Sequence, residues 1–186
     1  MKTIKIDNAT RVKRANRVLT CARIAGVTAT LCVVASTSAG AVEVGAPAPS
    51  YSLPGTTGTV ESAGLKGKLV YVDFWASWCV PCKQSFPWMN EMQAKYGERG
   101  LYVLGINVDA KKTDADKFLA TVPAKFQVAY DAVGTTPKQF AVKAMPTSYL
   151  VDGDGKVVYV HSGFRESDQK ALESAIVAAL DNLKKR

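Results

Sequence analysis

Apolar residues along this chain fall into short runs with two different rhythms. Leu69-Val70-Tyr71-Val72-Asp73-Phe74-Trp75-Ala76 is apolar at successive positions apart from Asp73, the pattern of a strand buried on both faces. Residues 101–108 form a second run of this kind and residues 126–130 a third. Between the runs the pattern turns helical. Residues 80–97 predict a helix closed by Gly97, and residues 113–121 a shorter one capped by Thr113. A third helix starts at Thr135 or Thr136, has Pro137 in its first turn and runs through Val142. Residues 148–151 and 157–161 read as strands joined by Asp152-Gly153-Asp154-Gly155, a strong hairpin signal. Residues 167–184 read as an amphipathic closing helix with basic residues at its end. Ahead of these, residues 51–60 hold Gly55 and Gly58 between short apolar flanks, which predicts a small hairpin or a pair of edge strands. Gly45-Ala46-Pro47-Ala48-Pro49, within residues 42–50, reads as a rigid entry linker. Strand and helix alternate three times, then comes a hairpin, then a helix. That order predicts an α/β domain over residues 51–186, with a mixed sheet covered by helices on both faces.

Composition changes this picture little, but the placement of charge changes it a good deal. With 186 residues, 47% apolar and 22% charged, the chain is long enough to bury a sizeable core. A formal charge of +8 raises the question of nucleic acid. Lys2, Lys5, Arg11, Lys13, Arg14, Arg17 and Arg23 face a single acid, Asp7, at the start of the chain. Residues 42–186 are therefore close to charge balance, and no nucleic-acid partner is expected for them. The basic start is followed by the apolar stretch of residues 24–35 and by Ala39-Gly40-Ala41, which fits a small-residue cleavage site. Residues 1–41 are accordingly expected to be an export signal that is removed. The alternative is an uncleaved membrane anchor, but the apolar stretch is shorter than the roughly 20 residues a spanning helix needs. The expected location is the periplasm, with membrane contact only if the leader is retained. Of four cysteines, Cys21 and Cys32 would leave with the leader. Thr20 and Leu31 stand before them, not the small residue that lipidation requires.

The two cysteines that remain stand in Trp78-Cys79-Val80-Pro81-Cys82, where a buried strand runs into a helix. A cysteine at a helix N-terminus lies near free backbone N–H groups and the positive end of the helix dipole, which favour thiolate. The thiolate is the form that attacks disulfides. Cys79 is thus the candidate nucleophile and Cys82, one turn inward, the resolving thiol. A structural staple would close so short a loop that it would stabilise weakly. Zinc sites usually take four ligands, and beyond the leader there are two cysteines and the distant His161, to which no role is assigned. Two soft thiolates also select Cu(I), which leaves a copper-handling or metal-binding module as an alternative. Asp73 breaks the apolar pattern of its strand. It is either a carboxylate with a raised pKa that exchanges a proton with Cys82, or an inert hydrogen-bonded end-of-strand residue. Met89, Met92 and Trp75 read as core.

Asp73-Phe74-Trp75-Ala76-Ser77-Trp78-Cys79-Val80-Pro81-Cys82-Lys83, with Pro87 beyond it, resembles the thioredoxin superfamily. A second motif agrees in order: Met145-Pro146-Thr147 before a strand, then Gly155 and Gly163. The resemblance covers residues 44–184. Three features are most similar to the exported TlpA/ResA/DsbE branch: the leader, the Gly-Ala-Pro-Ala-Pro entry, and the long interval from Cys82 to Pro146, which an extra helix and strand near residues 112–131 would fill. The resemblance implies a thioredoxin-like fold with an N-terminal hairpin and a central helix–strand insert. It also implies a thiol–disulfide oxidoreductase without a cofactor or metal, typically a periplasmic reductant of disulfide-bearing client proteins. Such proteins often serve cytochrome c maturation or metal-centre assembly and draw electrons from a membrane donor; an oxidant that donates its disulfide is the other direction. The family pattern makes Asp73 a proton carrier for Cys82 and Trp78 a shield for Cys79. It also makes Pro146 a cis proline facing the cysteines, leaving the Met145 backbone to pair with a substrate strand. This chain departs from the pattern in two ways. Gly105 stands where plain thioredoxin has a lysine, and Asp73 stands where ResA and DsbE types often carry asparagine.

Overall fold

The computed structural model describes residues 42–185; the expected export signal, with Cys21 and Cys32, lies outside them. The chain order is β1 (Ser52–Gly55), β2 (Gly58–Glu61), β3 (Leu69–Trp75), α1 (Val80–Tyr96), β4 (Leu101–Asn107), α2 (Lys112–Thr121), β5 (Gln127–Tyr130), α3 (Thr135–Gln139), β6 (Thr147–Val151), β7 (Val157–Ser162) and α4 (Gln169–Lys184). Seven strands make one sheet in the order β2-β1-β5-β4-β3-β6-β7. β3, β4 and β5 run parallel, while β6 and β7 are antiparallel to their neighbours. β1 pairs antiparallel with both β2 and β5. The sheet is therefore mixed. β3 lies third from one edge and is buried at every position, as its unbroken apolar run predicts.

Alternation along β3 divides the core in two. Leu69, Tyr71 and Trp75 join Phe86, Met89 and Met92 of α1, Phe118 of α2 and Leu172, Ile176 and Leu180 of α4. Val70, Val72 and Phe74 face the other way, with Leu104, Ile106, Phe140, Tyr149 and Val157. Both faces are covered, though unequally: three helices lie on the first, and the short α3 with Val42, Ala48, Tyr51 and Leu65 of the N-terminal segments lies on the second. Phe86 meets the rings of Trp75, Phe118 and Phe126 edge-on at 4.9, 5.1 and 5.1 Å. Such contacts add to simple burial and bind α1, α2, the end of β3 and the residue ahead of β5 together.

Several expected boundaries are corrected. Thr113 is not a cap: α2 begins at Lys112, and Lys111 is its N-cap without a capping side chain. Neither Thr135 nor Thr136 caps α3. The Asp131 carboxylate does so from outside the helix, accepting the N–H groups of Gly134 (2.9 Å) and Thr136 (2.6 Å). That helix stops at Gln139 rather than Val142, because Ala141 takes a left-handed φ of 54°. Gly97 ends α1 with right-handed geometry; the left-handed stop comes at Gly100 after a short 3-10 turn. The entry segment is also more than a linker. Gly45 N–H donates to Val157 O (2.7 Å), Val157 N–H to Ala46 O (2.9 Å) and Ala48 N–H to Gly155 O (2.8 Å), so it lies hydrogen-bonded against the start of β7.

Candidate active site

β3 ends at Trp75, and four residues later Cys79 is the N-cap of α1. Its sulfur accepts the Cys82 N–H at 3.2 Å, so Sγ occupies the place that a capping oxygen takes in other helices. Cys79 and Cys82 are joined as a disulfide. Both are buried, Cys82 completely and Cys79 with 5% exposure, so Cys79 is the sulfur nearer to solvent. Around it Trp78 and Val80 are 69% and 70% exposed. Few large apolar side chains among the described residues stand so open, and these two flank the reactive position. A cleft of about 410 Å³ opens beside them. Trp78, Cys79, Val80 and Lys83 line one wall, and Lys117 and Phe118 of α2 line the other.

The loop that carries Trp78 and Cys79 is held from β4. Asp109 accepts Ser77 N–H at 2.9 Å and the Ser77 hydroxyl at 3.0 Å, and Asn107 Nδ2 donates to the same carboxylate at 2.8 Å. Neither Ser77 nor Asp109 stands out in the sequence. Their partnership arises because β4 runs parallel to β3 in register, Trp75 beside Asn107, so the two strands end together.

Asp73 is buried (1% exposed) on the face that α1 covers. Burial pushes its carboxyl up to about 7, against the opposing pull of a hydrogen bond from Ser148. That bond is short: Ser148 Oγ donates to Asp73 Oδ1 at 2.6 Å, and the Tyr71 hydroxyl donates to Ser148 Oγ at 2.8 Å. Asp73 Oδ2 has no partner among the described residues. Opposite Asp73 in β4 stands Gly105. A Cβ there would meet Phe126 Cε2 at 3.0 Å and Trp75 Nε1 at 3.1 Å. The indole of Trp75 thus fills the space into which a lysine would have to grow, which gives the glycine its physical reason. Ser148 was not legible as a partner, because its place beside Asp73 depends on the β3–β6 register.

Pro146 precedes β6, and its peptide bond with Met145 is cis. Thr147 pairs with Phe74, so Pro146 and Met145 lie at the same end of the sheet as the loop leading to Cys79. The Pro146 carbonyl accepts Gly163 N–H at 2.7 Å. Among the described residues no backbone hydrogen bond engages the N–H or C=O of Met145. Cys79, Cys82 and Met145 thus pack into the core on the face of β3 that carries Asp73, with Trp78 and Pro146 as their neighbours along the chain. Among the described residues, no group of three or more His, Cys, Asp or Glu side chains is arranged to hold a metal ion.

Known proteins are similar to this chain. The Redoxin family model matches residues 43–176. The thiol-disulfide oxidoreductase ResA of Bacillus thuringiensis subsp. konkukian (strain 97-27) is 35% identical over 129 residues, which is 69% of this chain and 75% of that protein. Among solved structures, a candidate thiol:disulfide interchange protein DsbE from Chlorobium tepidum is 56% identical with a TM-score of 0.74, covering 75% of this chain and 99% of its own. A second thiol:disulfide interchange protein, of the thioredoxin family and from Chlorobium tepidum TLS, is 29% identical with a TM-score of 0.63, over 72% of this chain and 95% of its own. The Cys79–Cys82 disulfide at the start of α1 accords with the thiol–disulfide chemistry for which those relatives are named. The chain belongs to the redoxin family of the thioredoxin superfamily and is a thiol–disulfide oxidoreductase of the ResA/DsbE type.

Proposed function

We propose that this protein is exported to the periplasm and reduces disulfides of client proteins there, in the service of cytochrome c maturation or metal-centre assembly. The observation that carries the chemistry is the Cys79 sulfur at the N-cap of α1, receiving the Cys82 N–H. In the reduced protein the same N–H and the helix dipole would support a Cys79 thiolate. That thiolate attacks a client disulfide, forms a mixed disulfide and expels one client thiolate. Cys82 gives its proton to Asp73, attacks the Cys79 sulfur and expels the second client thiolate. The Cys79–Cys82 disulfide is the product, and two electrons have passed to the client. An acid–base group poised near neutral pH is suited to this step, and Asp73, held at about 7, is such a group. Trp78 and Val80 offer an apolar surface to the client. Met145 offers unpaired backbone groups to an extended client strand, a sheet-edge mode of recognition. Restoring the dithiol needs an electron pair from outside, which in an oxidising compartment implies a membrane donor.

Equilibration of the Cys79–Cys82 couple against glutathione tests the direction. A potential more negative than about −220 mV is expected for a reductant. A value near −120 mV, that of a strong oxidant, would make the protein a disulfide donor instead.

A further inference from the structure

A polar row crosses an otherwise apolar sheet face. On the side covered by α1 and α4, Asp73 of β3 is directly opposed to Ser148 of β6, and Ser148 to His161 of β7. The flanking positions on this face are aromatic or aliphatic: Tyr71 and Trp75 in β3, and Leu150 in β6. Burial relaxes along the row. Asp73 is 1% and Ser148 3% exposed, while the side chains of His161 and of Asp168 beyond it reach 22% and 26%. The inner link is the 2.6 Å bond from Ser148 to Asp73. The outer link is a 3.3 Å approach of His161 Nε2 to Asp168 Oδ2. Between them, Ser148 and His161 are directly opposed in the β6–β7 ladder, and such residues hold their Cβ atoms about 5 Å apart. Asp73 Oδ2 and His161 Nε2 are both buried without a hydrogen-bond partner among the described residues. Toward β4 the row is closed, because Gly105 has no room for a side chain beside Trp75 and Phe126.

We propose that Asp73 exchanges its proton with solvent along this row, through the Ser148 hydroxyl to His161 and out past Asp168. The scheme rests on the reading of Asp73 as proton acceptor for Cys82. Ser148 Oγ has one proton and two lone pairs. With Asp73 ionised, the hydroxyl donates to the carboxylate, as observed. Once Asp73 has taken the Cys82 proton, its carboxyl becomes a donor. Oγ then accepts from Asp73 and from Tyr71 together, and its own proton is free for the imidazole. One proton enters from Cys82 and one leaves on His161 to water. Asp73 and Ser148 return to their starting states, and no electrons move. Histidine is the side chain suited to such exchange near neutral pH, and the Asp168 carboxylate lies beside it. The other groups on this face are Tyr71 beside Asp73, Tyr159 of β7 acting on Tyr71 in turn, and Cys82 of α1. From α4 come the apolar Leu172 and Ile176. His161 acts only through Ser148 and Asp73, so it is a positioning residue.

The test is single-turnover reduction of a peptide disulfide by the full chain, reduced beforehand, from pH 6 to 9. His161→Gln is expected to slow release of the second client thiolate at pH 7 by about tenfold or more, with an unchanged thermal midpoint and with recovery on adding imidazole to the buffer. Ser148→Ala should slow the same step without recovery, and it replaces His161→Gln if that variant does not fold. Parental rates and pH profile in both variants, or slowing of His161→Gln that imidazole does not relieve, would overturn the row. If Asp73→Asn alters the profile in that same experiment, Asp73 remains the proton acceptor and only its exit route is refuted. If Asp73→Asn changes nothing from pH 6 to 9, the Asp73 role itself is lost, and the row with it.

Discussion

Asp73 carries a penalty that the rest of β3 does not. Burial holds its carboxyl near 7, against an ordinary 3.8. Between those values the folded protein keeps a proton that the unfolded chain has released. Stability therefore falls as pH rises from about 4 to about 7 and stays lowered above that. Asp73→Asn removes the ionisation and keeps an oxygen to accept from Ser148. The oxidised variant should be more stable than its parent at pH 8 by a few kcal/mol, with the gap closing toward pH 4, as urea titration at both pH values would show. Equal urea midpoints at pH 8 would contradict a buried titrating carboxylate. Asp73, Cys79 and Cys82 were visible in the sequence because each breaks a local pattern. Ser148, Tyr71 and His161 were not: they read as ordinary strand positions until the register lines them up with Asp73.

At the level of elements, the redox loop depends on how β4 ends as much as on α1. Asp109 receives three donors, from Ser77 N–H, Ser77 Oγ and Asn107 Nδ2. Asp109→Ala would leave buried donors without an acceptor, which costs about 1–3 kcal/mol. The thermal midpoint should drop by roughly 3–10 °C, and reduction of insulin should slow as Cys79 loses its fixed position. An unshifted midpoint would show that water replaces the carboxylate. The strands were the most legible elements, since an apolar run such as residues 69–76 has few other solutions. Helix starts were less so. The cap of α3 comes from Asp131, four residues ahead of the helix, where no local capping pattern would look for it. α1 was found despite Pro87 within it, because the motif before it marks its start.

On the scale of the molecule, the sheet is completed at the β7 edge by the chain's own entry segment, a role that its proline-rich composition concealed. Deleting residues 42–48 would remove the three backbone bonds to Val157 and Gly155 and the packing of Val42 and Ala48 on the second core face. The expected loss is about 1–4 kcal/mol in a denaturant titration, with the rate of disulfide reduction retained at 25 °C. A parallel loss of rate would mean that the segment reaches the site. The register says otherwise. Val157 aligns through Val151 with Val70 at the start of β3, whereas the sulfurs follow its far end. Seven strand residues at about 3.3 Å each separate the two poles by about 20 Å. Whatever docks at the sulfurs would therefore leave the backbone bonds of the entry segment untouched, so each pole can be altered without disturbing the other.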